Sequence, residues 1–216
     1  FWKYMILKRV ITSAILFSLL ILTLRYELIL IITTMMLGVL SILEFFALSK
    51  RVFTNKFYLF FSNLFFSFYI FSFFSIFVFI SGYFQFKILL FLLLLGCIGS
   101  DLGGYIFGKI FKGPKLTKIS PNKTYAGAIG SIVFTSLIFL SFSFYFTIHS
   151  HTKIFVLAVV TSIFCQLGDL FISLLKRKAN VKDTGNILPG HGGILDRLDG
   201  IFIGVPFGFL IFILFY

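Results

Sequence analysis

QLGDLFISLLKRKANVKDTGNILPGHGGILDRLDG, residues 166–200, holds most of the polar chemistry of this chain. Of the seven acidic residues in the whole sequence, Asp169, Asp183, Asp196 and Asp199 fall inside it. Lys176, Arg177, Lys178, Lys182, His191 and Arg197 fall there as well, in a chain that is 59% hydrophobic. Ionisable groups are costly near a bilayer and mark function by default. The rest of the chain reads as apparatus for holding this stretch at a membrane surface.

Outward from that stretch the sequence is mostly apolar. Only 12% of residues are charged, against about a quarter in ordinary soluble domains. With a mean hydropathy of +1.08, that excludes an ordinary soluble fold. Apolar runs cover residues 10–24, 28–48, 57–80, 88–107, 126–148, 154–175 and 201–216. A perpendicular span takes about 20 apolar residues, so the first and last are short. The expected fold is all-α: a polytopic integral membrane protein with about seven transmembrane helices, forming a single integral membrane domain over 1–216. Within it, 1–90 are hydrophobic helices and 91–216 carry the polar motif segments. Lys3, Lys8 and Arg9 ahead of an apolar run resemble a signal peptide, but no small-residue cleavage site follows, so a retained first helix is expected. Residue 1 is Phe rather than Met, which leaves the true start open.

The formal net charge of +12 could suggest a nucleic-acid partner, but the basic residues sort by loop. With the N-terminus in the cytoplasm, every Lys and Arg except Arg25, Lys87 and Lys153 falls on the inner side. Positive-inside topology therefore explains the charge, and no nucleic-acid partner is expected. The same orientation sets the large polar segments on the cytoplasmic face of the cytoplasmic (inner) membrane. The third run is crowded with Phe and reads as lipid-facing and packing surface. His149 and His151 read as solvated residues of a short outer loop. Cys97 and Cys165 sit inside apolar runs and read as buried small hydrophobes.

Polar groups outside the opening stretch are few. The fourth run carries Gly99-Ser-Asp101-Leu-Gly103-Gly104-Tyr-Ile-Phe-Gly108, with two G-x-x-x-G pairs. Such pairs permit close helix approach, either within one bundle or in a homodimer. Asp101 is an intramembrane carboxylate, hence a functional candidate, with an interhelical hydrogen bond as the bland alternative. Ser120-Pro121-Asn122-Lys123-Thr124 forms a turn before a helix expected to begin near Ala126, an arrangement that suits a phosphate. Asp169, Ser173 and Lys176 share a helix face by their spacing, and Asp196 and Asp199 share another at i, i+3. Aspartates beside glycines, lysines and arginines point to metal–phosphate chemistry. Oxygen-only ligands suit Mg²⁺, which is held by one or two carboxylates plus substrate phosphates. The sequence has no Cys/His cluster for zinc and no G-x-x-x-x-G-K-[ST] loop.

Ser173-Leu-Leu-Lys176-Arg177, four residues, Lys182-Asp183-Thr-Gly185, then Leu188-Pro189-Gly-His191-Gly192-Gly193-Ile-Leu-Asp196-Arg197-Leu-Asp199 resembles the signature of the phosphatidate cytidylyltransferases. Asp101…Gly-Tyr105…Gly108 and Ser120-Pro121-x-Lys123-Thr124 resemble that family too, so the likeness runs from about Gly96 to the C-terminus. The resemblance implies that CTP and phosphatidic acid become CDP-diacylglycerol and pyrophosphate, with Mg²⁺; whether a second cation takes part stays open. It implies a cation site at Asp169, Asp196 and Asp199, with Asp196, Asp199 and Lys176 catalytic. Asp101, Ser120, Lys123, Thr124, Ser173, Arg177, Lys182, Asp183, His191 and Arg197 become candidates for contacting substrate. Many family members read Lys-Thr-Trp-Glu-Gly where this chain has Lys123-Thr124-Tyr125-Ala126-Gly127, which puts an essential acid there in doubt. Two other functions fit the sequence less well. A CDP-alcohol phosphotransferase needs D-G-x-x-A-R, and Asp199-Gly200 is followed by Ile-Phe-Ile-Gly. A cation or phosphate transporter would use Asp101 and Asp169 as pathway residues, but no inverted repeat shows.

Overall fold

A computed structural model describes residues 18–19, 21–117, 119–145, 150–187 and 192–215. It is all-α: α1 (Glu27–Val52), α2 (Lys56–Ser81), α3 (Phe84–Phe111), α4 (Tyr125–Tyr145), α5 (His151–Lys178) and α6 (Leu195–Phe215). All six are long and apolar enough to cross a membrane. Each covers one of the expected runs. The first expected helix, 10–24, lies mostly outside the described residues, although 21–25 are helical. Among the described residues no strand forms, only an isolated antiparallel bridge between Lys115 and Thr124.

Local chemistry sets the helix ends. Asn55 caps α2 by accepting from the Phe57 N–H at 2.9 Å, and Thr124 caps α4 by accepting from Gly127 N–H at 3.1 Å. Lys176, Arg177 and Lys178 complement the dipole in the last turn of α5. That helix stops at Asn180, whose φ of 53° is left-handed. The N–H groups of Asn180 and Val181 then donate to the carbonyls of Arg177 and Lys176, at 3.1 and 3.0 Å. This is a Schellman ending, with Asn in the place glycine usually takes.

The chain divides into two compact units. One comprises residues 1–83 and 175–198, and the other 84–174 and 199–216. In the first, α1 and α2 pair through a stacked Phe45–Phe66 contact at 3.7 Å and a Ser49 hydroxyl donating to Asn63 at 2.7 Å. Phe57, Phe60, Phe65, Phe68, Phe71 and Phe79 point outward from α2, as the lipid-facing reading of that run expects.

In the second unit the glycines of α3 are spent on α4. A Cβ at Gly103 would stand 2.5 Å from the Gly130 carbonyl oxygen and 2.6 Å from Phe134 Cβ. One at Gly104 would stand 2.7 Å from the Ser131 hydroxyl. Packing inside one bundle thus uses both G-x-x-x-G pairs. Small polar side chains add interhelical hydrogen bonds: Ser131 to the Ser100 carbonyl at 2.7 Å, Ser100 with Ser162 at 3.0 Å, and Thr135 to the Gly96 carbonyl at 3.2 Å. Cys97 and Cys165 are free and buried, as read. His151 departs from expectation. It opens α5 rather than lying solvated in a loop, because its Nδ1 pairs with the Ser143 hydroxyl at 3.0 Å and its ring lies against Phe144. His149 lies outside the described residues.

Overpacking a tight interface costs about 1–3 kcal/mol. Gly103→Ala is therefore expected to lower stability by about 2 kcal/mol, read as a drop in the thermal midpoint of the purified protein in detergent. An unchanged midpoint would mean that α3 and α4 do not pack this closely.

Candidate active site

The first unit gathers the two halves of the opening stretch around Asp196. The Lys176 ammonium donates to Asp196 Oδ1 at 2.6 Å, and the two side chains are only 15% and 7% exposed. Asp196 Oδ2 accepts the N–H of Thr184 at 2.8 Å and of Gly193 at 3.1 Å. One carboxylate thereby ties the end of α5, the Lys-Asp-Thr-Gly loop and the start of α6 together. Gly192 makes the approach with a φ of +85°, a conformation that glycine adopts without strain.

A residue absent from the sequence reading completes this group. Glu44, in α1, is 5% exposed. Its Oε2 accepts the Thr184 hydroxyl and the Leu195 N–H, both at 2.9 Å, and its Oε1 accepts the Ile194 N–H at 3.0 Å. Ile194 immediately precedes α6 and Leu195 opens it, so the carboxylate meets the positive end of that helix. The same residue explains two motif glycines. A Cβ at Gly185 would stand 2.5 Å from Glu44 Oε1, and one at Gly193 would run into Thr184 Oγ1 and Glu44 Oε2. The group these glycines admit is a side chain of the protein itself. A signal for Glu44 was present, since it is an acid inside an apolar run, the criterion that singled out Asp101.

Beside this group opens a cleft of about 190 Å³, with Ala47 and Leu48 among its apolar lining and Arg51, Asp183 and Asn186 among its polar lining.

The second unit joins two other motif segments. The Lys123 ammonium forms an ion pair with Asp169 Oδ2, both side chains about a quarter exposed. Ser173 donates to Asp169 Oδ1 at 3.2 Å, as their i, i+4 spacing implies. The turn that presents Lys123 differs from an open phosphate cradle. Its N–H groups are used internally: Lys123 to the Ser120 carbonyl at 3.0 Å, Tyr125 to the Pro114 carbonyl at 3.2 Å, and Gly127 to Thr124 Oγ1. Thr124 is thus the cap of α4, and the Lys123 side chain carries the positive charge of the turn. Ser120 sits at the turn's first corner, its own N–H donating to Thr117 Oγ1 at 3.2 Å.

The remaining candidates divide by exposure. Asp199 is 8% exposed, and its Oδ1 accepts the Gly200 N–H at 2.8 Å. Its backbone lies against α5, where a Cβ on Gly168 would collide with the Asp199 carbonyl oxygen. Asp101 is exposed on α3. Arg177, Lys182, Asp183 and Arg197 are exposed. His191 lies outside the described residues, together with Leu188, Pro189 and Gly190.

The donor set bears on the expected Mg²⁺. Among the described residues no three His, Cys, Asp or Glu side chains form a metal cage. Mg²⁺ does not require one, because substrate phosphates and water fill most of its shell. Asp169 fits. It offers hard oxygens with spare lone pairs, is partly exposed, and already holds a cation in the form of Lys123. Asp196 accepts from Lys176 and two N–H groups, so a cation there would share Oδ1 with the Lys176 ammonium.

These features define a polytopic helical membrane protein with lysine–aspartate pairs in motif segments rich in glycine and basic residues. Residues 3–215 match the model of the Cytidylyltransferase family, and the chain belongs to that family. It is 38% identical over 138 residues to a protein of Rickettsia felis named phosphatidate cytidylyltransferase, covering 60% of each chain. It is 42% identical over 130 residues to the protein of that name from Rickettsia bellii, covering 56% of each. With the one from Staphylococcus epidermidis it shares 43% over 122 residues, 56% of this chain and 46% of that one. The chain spans about half the length of the curated relatives it matches.

Proposed function

We propose that this chain transfers a cytidylyl group from CTP to phosphatidic acid, giving CDP-diacylglycerol and pyrophosphate for phospholipid synthesis. The observation that carries the reading is the match to the Cytidylyltransferase family over nearly the whole chain. The geometry supplies a chemical reason for it. In each unit a lysine ammonium lies against an aspartate, Lys123 on Asp169 and Lys176 on Asp196. At either pair, a phosphate would serve as counter-charge for the lysine and a divalent cation for the aspartate, so neither charge would be left uncompensated.

In this reading an oxygen of the lipid phosphate attacks the α-phosphorus of CTP. The bond from that phosphorus to the oxygen bridging it to the β-phosphorus breaks, and pyrophosphate leaves with the electron pair. Lys123, Lys176, Arg177, Lys182 and Arg197 are the cations available to the phosphates, and charge stabilisation of this kind is the main work in phosphoryl and nucleotidyl transfer. Mg²⁺, when bound, would supply further neutralisation of the departing phosphates. Asp169 would hold it, with Asp196 and Asp199 as the other implied carboxylates. The basic loops orient the chain with the site toward the cytoplasm of the inner membrane, where CTP is found.

The test is conversion of radiolabelled CTP into a chloroform-extractable product by the purified chain in phosphatidate-containing vesicles. Product that depends on phosphatidic acid supports the reading, and none from folded protein contradicts it. Within this reading Lys123→Met is expected to lower kcat/KM for CTP about 100-fold, the scale for removing one group that stabilises transition-state charge. Stability should shift by less than about 1 kcal/mol, because a partly exposed ion pair contributes little.

A further inference from the structure

We infer that Glu44 is a positioning residue of the candidate active site: its carboxylate, delivered from α1, fixes the Lys-Asp-Thr-Gly loop and the start of α6 so that Lys176 and Asp196 are presented as a pair. The inference deepens the function proposed above and rests on it for the meaning of activity. The geometric part stands by itself.

All the contacts belong to one unit. Glu44 reaches 140 residues along the chain to Thr184 and 151 residues to Leu195. It receives the Thr184 hydroxyl on one oxygen, while the Thr184 N–H goes to Asp196. It receives the N–H groups of Ile194 and Leu195, while the adjacent Gly193 N–H again goes to Asp196. Two carboxylates therefore share one loop and one helix start between them, each taking alternate donors. Glu44 touches neither Lys176 nor Asp196 through these bonds and acts on them through Thr184 and the 193–195 backbone. Its three partners are all donors, so only an acceptor on both oxygens satisfies the site. The fit is close on the opposite side too, since neither Gly185 nor Gly193 has room for a Cβ beside it. A buried donor left without its acceptor is strongly unfavourable, and a carboxylate at this position removes three such donors at once.

Glutamine is the informative replacement. It has the shape of Glu44, but one oxygen becomes an NH₂ group. If that group replaces Oε1 it faces the Ile194 N–H, and if it replaces Oε2 it faces the Leu195 N–H. Either way a backbone donor of α6 loses its acceptor. Aspartate keeps the charge but is one methylene shorter. Thr184→Val removes a single donor and leaves the carboxylate intact.

The experiment is hydrogen–deuterium exchange of the full-length protein in detergent, read by mass spectrometry on the segment 184–195, with pyrophosphate release measured on the same samples. Glu44→Gln is expected to speed exchange in that segment about tenfold and Thr184→Val about threefold, with α2 unchanged. Exchange at the wild-type rate in both variants overturns the inference. In the activity arm, Glu44→Gln is expected to lower kcat per folded molecule at least about tenfold, with part of it restored in Glu44→Asp. A Glu44→Gln protein that is less stable but keeps the wild-type kcat per folded molecule overturns the positioning role in favour of plain stability. If the wild type itself releases no pyrophosphate, the proposed function fails, while the exchange arm still decides whether Glu44 holds the loop.

Discussion

Asp196→Asn is expected to lower pyrophosphate release at least about 100-fold, while the purified protein remains monodisperse. Asp196 is the single group that touches the end of α5, the 182–185 loop and the start of α6. An asparagine keeps the size but leaves the Lys176 ammonium, 15% exposed, without a counter-charge. Removing one partner of a buried ion pair costs about 3–5 kcal/mol. Partial exposure of this pair places the expected loss nearer about 2–3 kcal/mol, read as a lower thermal midpoint. A second variant separates stability from chemistry. Asp196→Asn combined with Lys176→Met removes both charges and keeps an amide oxygen for the Thr184 and Gly193 N–H groups, so most of the stability is expected to return while activity stays absent. Recovery of activity in the double variant would remove both residues from the reaction.

Gly193→Ala is expected to have the next largest effect, in this case on folding. The added methyl would meet Thr184 Oγ1, Glu44 Oε2 and the Gly185 backbone nitrogen together, the last at 2.8 Å. Backbone cannot swing aside as the end of a flexible side chain can, so the Glu44 contacts or the Asp196 contacts must give way. A loss of about 3 kcal/mol is expected, at the upper end for overpacking, together with loss of pyrophosphate release. Gly113→Ala is a useful comparison. That position has φ +98° but open space around it, so only backbone strain of about 1–2 kcal/mol should appear. Equal effects at the two glycines would mean that the packing around Glu44 is not as close as described.

Much of this architecture was legible in the sequence because the bilayer imposes a simple rule. A run such as 57–80 is too long and too apolar to be anything but a spanning helix, and α2 occupies Lys56–Ser81. The spacing of Asp169 and Ser173 likewise fixed their contact, since i, i+4 neighbours on a helix meet whatever else surrounds them. What stayed hidden depends on chain segments far apart in sequence. Nothing in Lys123 names Asp169 as its partner. Nothing in the glycine pattern of 185–193 says that a glutamate from α1 fills the space the glycines leave. Spacing also does not show that the Thr124 hydroxyl caps α4. Glu44 itself was within reach of sequence reasoning. A carboxylate between Leu43 and Phe45, about 12 Å along the helix from the end of α1, is as costly in a membrane as Asp101 and calls for a partner in the same way.

The measurement that tests the central claim most directly is pyrophosphate release by the purified chain, with phosphatidic acid and Mg²⁺ supplied and CTP compared against ATP. Release that requires the lipid, the metal and CTP together is the predicted result. No release from protein that is folded and monodisperse, or release that proceeds as well with ATP or without lipid, would contradict cytidylyl transfer to phosphatidate by this chain.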